Sequence, residues 1–399
     1  MKDLRELEKY PQPYSTFFHE YLHFLQDIST TFGLMNAIMI LNQIKYSNHY
    51  IINSEEPYTV PIPFESGPHM KLAIEMQKVY IGKSYGINFS RVCYVRKVDT
   101  DIYIPSPYEH YLDRIVVGIE FDDSYTKEIE FGGIGLIESM AHIAQVRFNP
   151  DTVHADMPYK IAEHVARFIY PEFAENQLFI FSLCDACLMS FHPAQLFFDV
   201  LTEFKRDGYL PTTEKDIYDH VYSIETNKDK NLIEHYKQLC NEAKTELTHY
   251  FTTDEFDNEK IWISTILDRA SDWRIKHPTF MVDLLKQEQL RSDLFIQIIL
   301  DLGSPLIENL DNDVHLFTPR GFENVPLRID TFSAINEIFK HMVEGETKCS
   351  LQNYCNKSVV GDITDQRCSS SPWTRSKDKE LCAYGILWKM WGLSEKFPN

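Results

Sequence analysis

Residues 14–28 leave the backbone little choice. Phe17, Phe18, Tyr21, Leu22, Leu25 and Ile28 form a thick apolar surface at the spacing of an amphipathic helix. Pro11 and Pro13 exclude helix just upstream, and Ser15 or Thr16 can cap the orphan backbone N–H groups, so the pattern predicts a helix starting near Ser15. On that helix His19 and His23 project from one face, about a turn apart. With Glu20 beside the first they spell His-Glu-x-x-His. Two imidazoles so placed can hold one tetrahedral ion, and the glutamate can reach water bound to it. Gln26 and Asp27, one turn further on, are placed to orient His23 through its other ring nitrogen. The competing reading is a packed helix whose two histidines merely cap a wet edge.

Past Gly33 the apolar pattern resumes through Leu34, Ala37, Ile38 and Leu41 to about Lys45, as a bent continuation or as a second helix. The texture then changes. Tyr50–Asn53, Tyr58–Ile62, Arg91–Val98, Asp101–Ile104, Arg114–Phe121 and Thr126–Phe131 are rich in β-branched and aromatic residues and bounded by Gly, Pro, Asn and Asp. They predict a small, mostly antiparallel sheet between about residues 48 and 132, with one helix near Met70 to Val79. The last strand leads through Gly132, Gly133 and Gly135 into a helix carrying Glu138, Ser139, Ala141 and His142. Residues 156–345 read as helices almost throughout, several with the three-and-four spacing of a bundle. The expected fold class is therefore α+β, predominantly helical, with an N-terminal helix–sheet–helix region over 1–150, a helical region over 151–345 and a Cys-rich tail over 346–399.

A catalytic zinc site needs a third protein ligand and an open fourth position. Glu138 opens a helix after a glycine turn, and the small residues Ser139 and Ala141 permit close approach to the first helix. In His19-Glu20-Tyr21-Leu22-His23 and Glu138-Ser139-Met140-Ala141 the chain resembles the gluzincin metallopeptidases. The resemblance covers two short helices; Ile137 and His142 stand where those families commonly carry Asn and an acidic residue. It implies a zincin-like N-terminal region in which His19, His23 and Glu138 hold Zn2+ and Glu20 deprotonates the water that attacks a peptide carbonyl. His142 shares a face with Glu138 and stands as an alternative ligand, a partner to a ligand, a donor to the developing oxyanion or a packing residue. His154 and Tyr159, just past this helix, are further candidates to reach an oxyanion.

Cysteine use is uneven. Cys184 and Cys187 have the spacing of a metal or redox pair, but they sit in an apolar helical run where cysteine behaves as a small core residue. His192-Pro193 marks a break between helices. Four of the eight cysteines, Cys349, Cys355, Cys368 and Cys382, crowd into the tail, where four thiolates could close a structural zinc site; without a Cys-x-x-Cys knuckle, free thiols stand equally open. Trp388 and Trp391 are expected to pack on the helical body.

A formal charge of −20 argues against nucleic acid and anionic membranes, since phosphate would be repelled. Residues 1–8 are too charged for a secretory signal, and the longest apolar run, Gly33–Leu41, is too short to span a bilayer. With too few cysteines for a disulfide framework, the expectation is a soluble, cytoplasmic chain. The leading functional expectation is a selective processing peptidase acting on a protein or peptide substrate, with a regulatory protein partner possible. The alternative is a helical interaction or scaffold protein with a structural metal site.

Overall fold

The computed structural model describes residues 10–55, 57–64, 67–104, 110–226, 230–287, 293–305, 307–308, 314–356 and 363–398. The charged stretch 1–8 lies outside them, as do parts of the polar connections after Ile224 and Asp311. The fold is α+β and predominantly helical. Two units emerge, each assembled from three separate stretches: residues 1–36, 74–243 and 266–305 in the first, and 37–73, 244–265 and 306–399 in the second.

The first unit begins with α1, Pro11–Ser29, four residues earlier than Ser15. Pro11 and Pro13 fall in the first turn, where the missing N–H groups would have no intrahelical acceptor anyway, so proline is accommodated rather than excluded. At Thr30 the chain turns extended and restarts as α2, Thr31–Asn53. The Thr30 hydroxyl serves both ends: it donates to the Gln26 carbonyl at 2.7 Å and accepts from the Gly33 N–H at 3.0 Å. Gly33 is needed here because a Cβ would sit 2.5 Å from the Gln26 oxygen. Tyr50–Asn53, expected as a strand, is instead the last turn of α2, with Ile44, Ser47 and Ile51 continuing its buried stripe. Tyr58–Ile62 forms no strand either; Tyr58 makes an isolated bridge to Pro398 and the Ile62 N–H donates to the Met342 carbonyl at 2.7 Å. A helix, α3, spans Pro68–Ile81.

The sheet has three strands, β1 (Arg91–Ile104), β2 (His110–Glu120) and β3 (Thr126–Phe131), antiparallel in sequence order. Val95 pairs with Val117, and Val117 with Ile129. The central strand buries Ile115, Val116, Val117 and Ile119, and Gly118 gives room to the Tyr94 ring. β3 passes through Gly132 into α4, Gly133–Phe148. A Cβ on Gly132 would lie 2.4 Å from the Ile81 carbonyl, so the turn depends on glycine where the end of α3 abuts it.

Helix α4 is buried over most of its length, as expected of a helix with little polar surface. It runs antiparallel against α1: Thr16 meets Gln145, the Phe18 and Phe148 rings lie 4.9 Å apart edge to face, and Gln26 reaches Ile137. Beyond it come α5 (Ile161–Ile169), α6 (Gln177–Cys187), α7 (Pro193–Asp207) and α8 (Glu214–Ser223). The sequence-based boundary near residue 150 is not a boundary in space, because α4 packs on α5 and α6 in one core. Helices α9 (Leu232–His249), α10 (Asp257–Lys276), α11 (Phe280–Lys286) and α12 (Asp293–Leu302) follow.

Cys184 and Cys187 on α6 are fully buried core residues. Asp185 between them is also fully buried, held by Nη1 and Nη2 of Arg274 at 2.8 and 2.9 Å and by the Tyr218 hydroxyl at 2.8 Å. Arg274 Nε also donates to the Ser29 carbonyl at 2.9 Å, at the end of α1.

The second unit contains α13 (Asp330–Phe339) and α14 (Ala383–Met390) within a largely irregular tail. Trp388 is fully buried, with Nε1 donating to the Leu393 carbonyl; Trp391 donates to the Tyr250 carbonyl.

Candidate metal centre

Helices α1 and α4 deliver His19, His23 and Glu138 to one point: one ligand atom from each lies within 4.8 Å of the others, the only such trio of metal-binding side chains among the described residues. Nε2 of His19 is 3.6 Å and Nε2 of His23 3.7 Å from the same Glu138 oxygen, Oε2. These separations are long for hydrogen bonds. They are close to the edge of a metal tetrahedron, since arms of about 2.0–2.2 Å place ligands roughly 3.4 Å apart. Glu138 Oε2 is buried and has no hydrogen-bond partner. A buried, unpaired carboxylate oxygen facing two imidazole nitrogens fits a divalent cation.

The surroundings prepare these atoms. Gln26 Nε2 donates to the Ile137 carbonyl at 3.4 Å, which fixes the amide so that Oε1 faces His23 Nδ1 at 2.9 Å. An amide oxygen can only accept, so Nδ1 carries the proton and the Nε2 lone pair points towards Glu138. Of the two residues considered for orienting His23, Gln26 therefore does so, and Asp27 is exposed. Burial pushes the Glu138 carboxyl up, but the two facing imidazoles outweigh it and hold it at about 2, fully ionised near neutrality. Burial works against protonating His23, yet Glu138, Gln26 and Glu20 together raise its pKa.

Glu20 is exposed beside the buried His19, and its charge is felt at both His23 and Tyr159. His142 is placed apart from the trio: its Nδ1 lies 3.0 Å from His154 Nδ1, and its Nε2 is 4.0 Å from Glu163. Burial, reinforced by the charges of His154, Lys160 and His19, lowers His142 to about 4. His154 in turn stacks on Tyr159 with ring centroids 4.3 Å apart, and both rings lie about 6 Å from that of His19, at 6.0 and 6.2 Å. A second layer of His142, His154 and Tyr159 thus borders the trio. His192 is not part of it; it precedes α7 and donates from Nε2 to the Asp113 carbonyl at 2.8 Å.

The chain matches no protein-family model, and neither the curated proteins nor the solved structures provide a match. No single helix among the described residues is long and apolar enough to cross a membrane.

Proposed function

We propose that this chain is a zinc-dependent peptidase, in which His19, His23 and Glu138 hold the ion and Glu20 is the general base. The observation that carries this reading is the convergence of two imidazole nitrogens on one unpartnered, buried carboxylate oxygen, with an exposed glutamate next to the first histidine. A structural site is normally closed by four protein ligands, whereas three ligands and an adjacent base leave a position for a reactant.

When bound, zinc supplies Lewis acidity, polarising a peptide carbonyl and bringing the pKa of water to about 7. Glu20 takes the proton from the attacking water and delivers it to the departing amine. Gln26 keeps His23 in the tautomer whose Nε2 can ligate. Tyr159 stays protonated, its pKa raised by burial and then by the charges of Glu138 and Glu20, so its hydroxyl is a donor available to a developing oxyanion. His142 acts as a positioning residue, holding the ring of His154 against Tyr159. The substrate class that suits a metal site with an adjacent base is a peptide or protein, acted on in the cytoplasm, with access open to control by a partner protein.

The test is hydrolysis of a randomised quenched-fluorescent peptide library by the zinc-loaded full chain, compared with Glu20→Gln. The expected outcome is cleavage by the wild type and a loss of at least about 100-fold in the variant, with metal content unchanged. Equal rates, or no cleavage by the zinc-loaded wild type, would leave a non-catalytic interaction protein with a structural ion as the better account.

A further inference from the structure

The irregular tail of the second unit brings Cys349, Cys355, Cys368 and Cys382 to the wall of one small cavity of about 20 Å3. That volume holds about one water-sized body, so a small-molecule substrate is excluded and a single ion is not. All four cysteines are free thiols. We infer that these four cysteines form a second, structural zinc site, independent of His19, His23 and Glu138.

Two of the sulfurs already receive donors. The Arg375 guanidinium points Nη1 at Cys368 Sγ, 3.2 Å away, and the Gly385 N–H points at Cys382 Sγ, 3.4 Å away, from the first turn of α14. A neutral thiol is a poor acceptor, and donors converging on sulfur are useful when the sulfur is ionised. A bound cation would supply that ionised state, because a coordinated thiol is deprotonated outright.

The placement favours one cluster over two disulfide pairs. All four line the wall of one cavity, so no pair of them is set apart from the other pair. The backbone adds a tie: Cys349 N–H donates to the Cys368 carbonyl at 2.7 Å. The sulfurs are not drawn together as tightly as His19, His23 and Glu138. An ion would pull them inwards to the roughly 3.8 Å edge set by zinc–sulfur arms of about 2.3 Å. Irregular backbone made of short 3-10 turns at Gln366–Ser369 and Pro372–Lys377 can yield to this. Binding releases the four thiol protons and leaves a dianionic centre, which Arg375 partly neutralises. The site would fasten a segment with few regular elements of its own.

The test uses the full chain carrying His19→Ala and His23→Ala, which empties the first site. Zinc by elemental analysis is expected at one ion per chain, released by a mercurial together with four newly reactive thiols. Cobalt exchanged into the wild type is expected to show thiolate-to-metal charge-transfer absorption, a readout that needs no cysteine variant to fold. A histidine variant that folds by circular dichroism but holds no zinc would overturn the proposal. So would an intact mass short by four hydrogens, the mark of two disulfides, or cobalt-loaded wild type without the charge-transfer band. Because the zinc is counted on a chain lacking His19 and His23, failure of the peptidase reading leaves this result untouched.

Discussion

His23 shows how much one neighbouring side chain decides. Its Nδ1 is committed to Gln26, whose own orientation is dictated by the Ile137 carbonyl on α4, so the helix that brings Glu138 also sets the tautomer of a histidine on α1. Replacing Gln26 by Leu keeps the bulk and removes the acceptor. Zinc affinity is expected to fall by about 10–100-fold. Competition against a chromophoric chelator measures this; an unchanged dissociation constant would mean that the ring needs no such lock. At this scale His19, Glu20 and His23 were legible because four-residue spacing on a helix is a geometric statement in itself. Glu138 was legible only through its glycine turn, its small neighbours and the resemblance they carried. The stacking of His154 on Tyr159 had no signal beyond residue type, since it depends on where a loop folds back.

Local pattern and tertiary packing part company at the level of elements. The helices of residues 161–276 appear where their periodicity places them, and Thr126–Phe131 is a strand as expected, whereas Arg91–Val98 and Asp101–Ile104 join into the single strand β1 and β2 begins at His110, four residues before Arg114. Tyr50–Asn53 has strand composition yet stays helical, because a four-residue apolar run fits either state and the buried stripe of α2 decides. The end of α1 is fixed from far away in sequence: Arg274, fully buried, caps the Ser29 carbonyl while pairing with Asp185. Nothing near residue 29 announces it. Arg274→Ala leaves the Asp185 carboxyl buried without its partner, so unfolding in urea followed by tryptophan fluorescence should show a loss of about 3–5 kcal/mol. The double substitution Arg274→Met/Asp185→Leu should recover most of it, since it removes both charges. A single variant as stable as the wild type would show that the pair contributes nothing to holding α1.

The whole chain is divided differently from any reading along the sequence. Three consecutive regions were expected, and instead each of two units collects three separate stretches. Periodicity reports which face of a helix is buried and is silent on what covers it, so partner choice over long separations was invisible. What did carry through is the pairing of residues about 115 positions apart, His23 and Glu138, across the intervening sheet. The central claim rests on that pairing and is tested most directly by zinc stoichiometry of the purified full chain and its Glu138→Ala, His142→Ala and Glu20→Gln variants, each checked for folding by circular dichroism. The account predicts that Glu138→Ala holds one zinc ion fewer than the wild type, while His142→Ala and Glu20→Gln match it. Full zinc content in Glu138→Ala, or loss of the ion in His142→Ala instead, would contradict it.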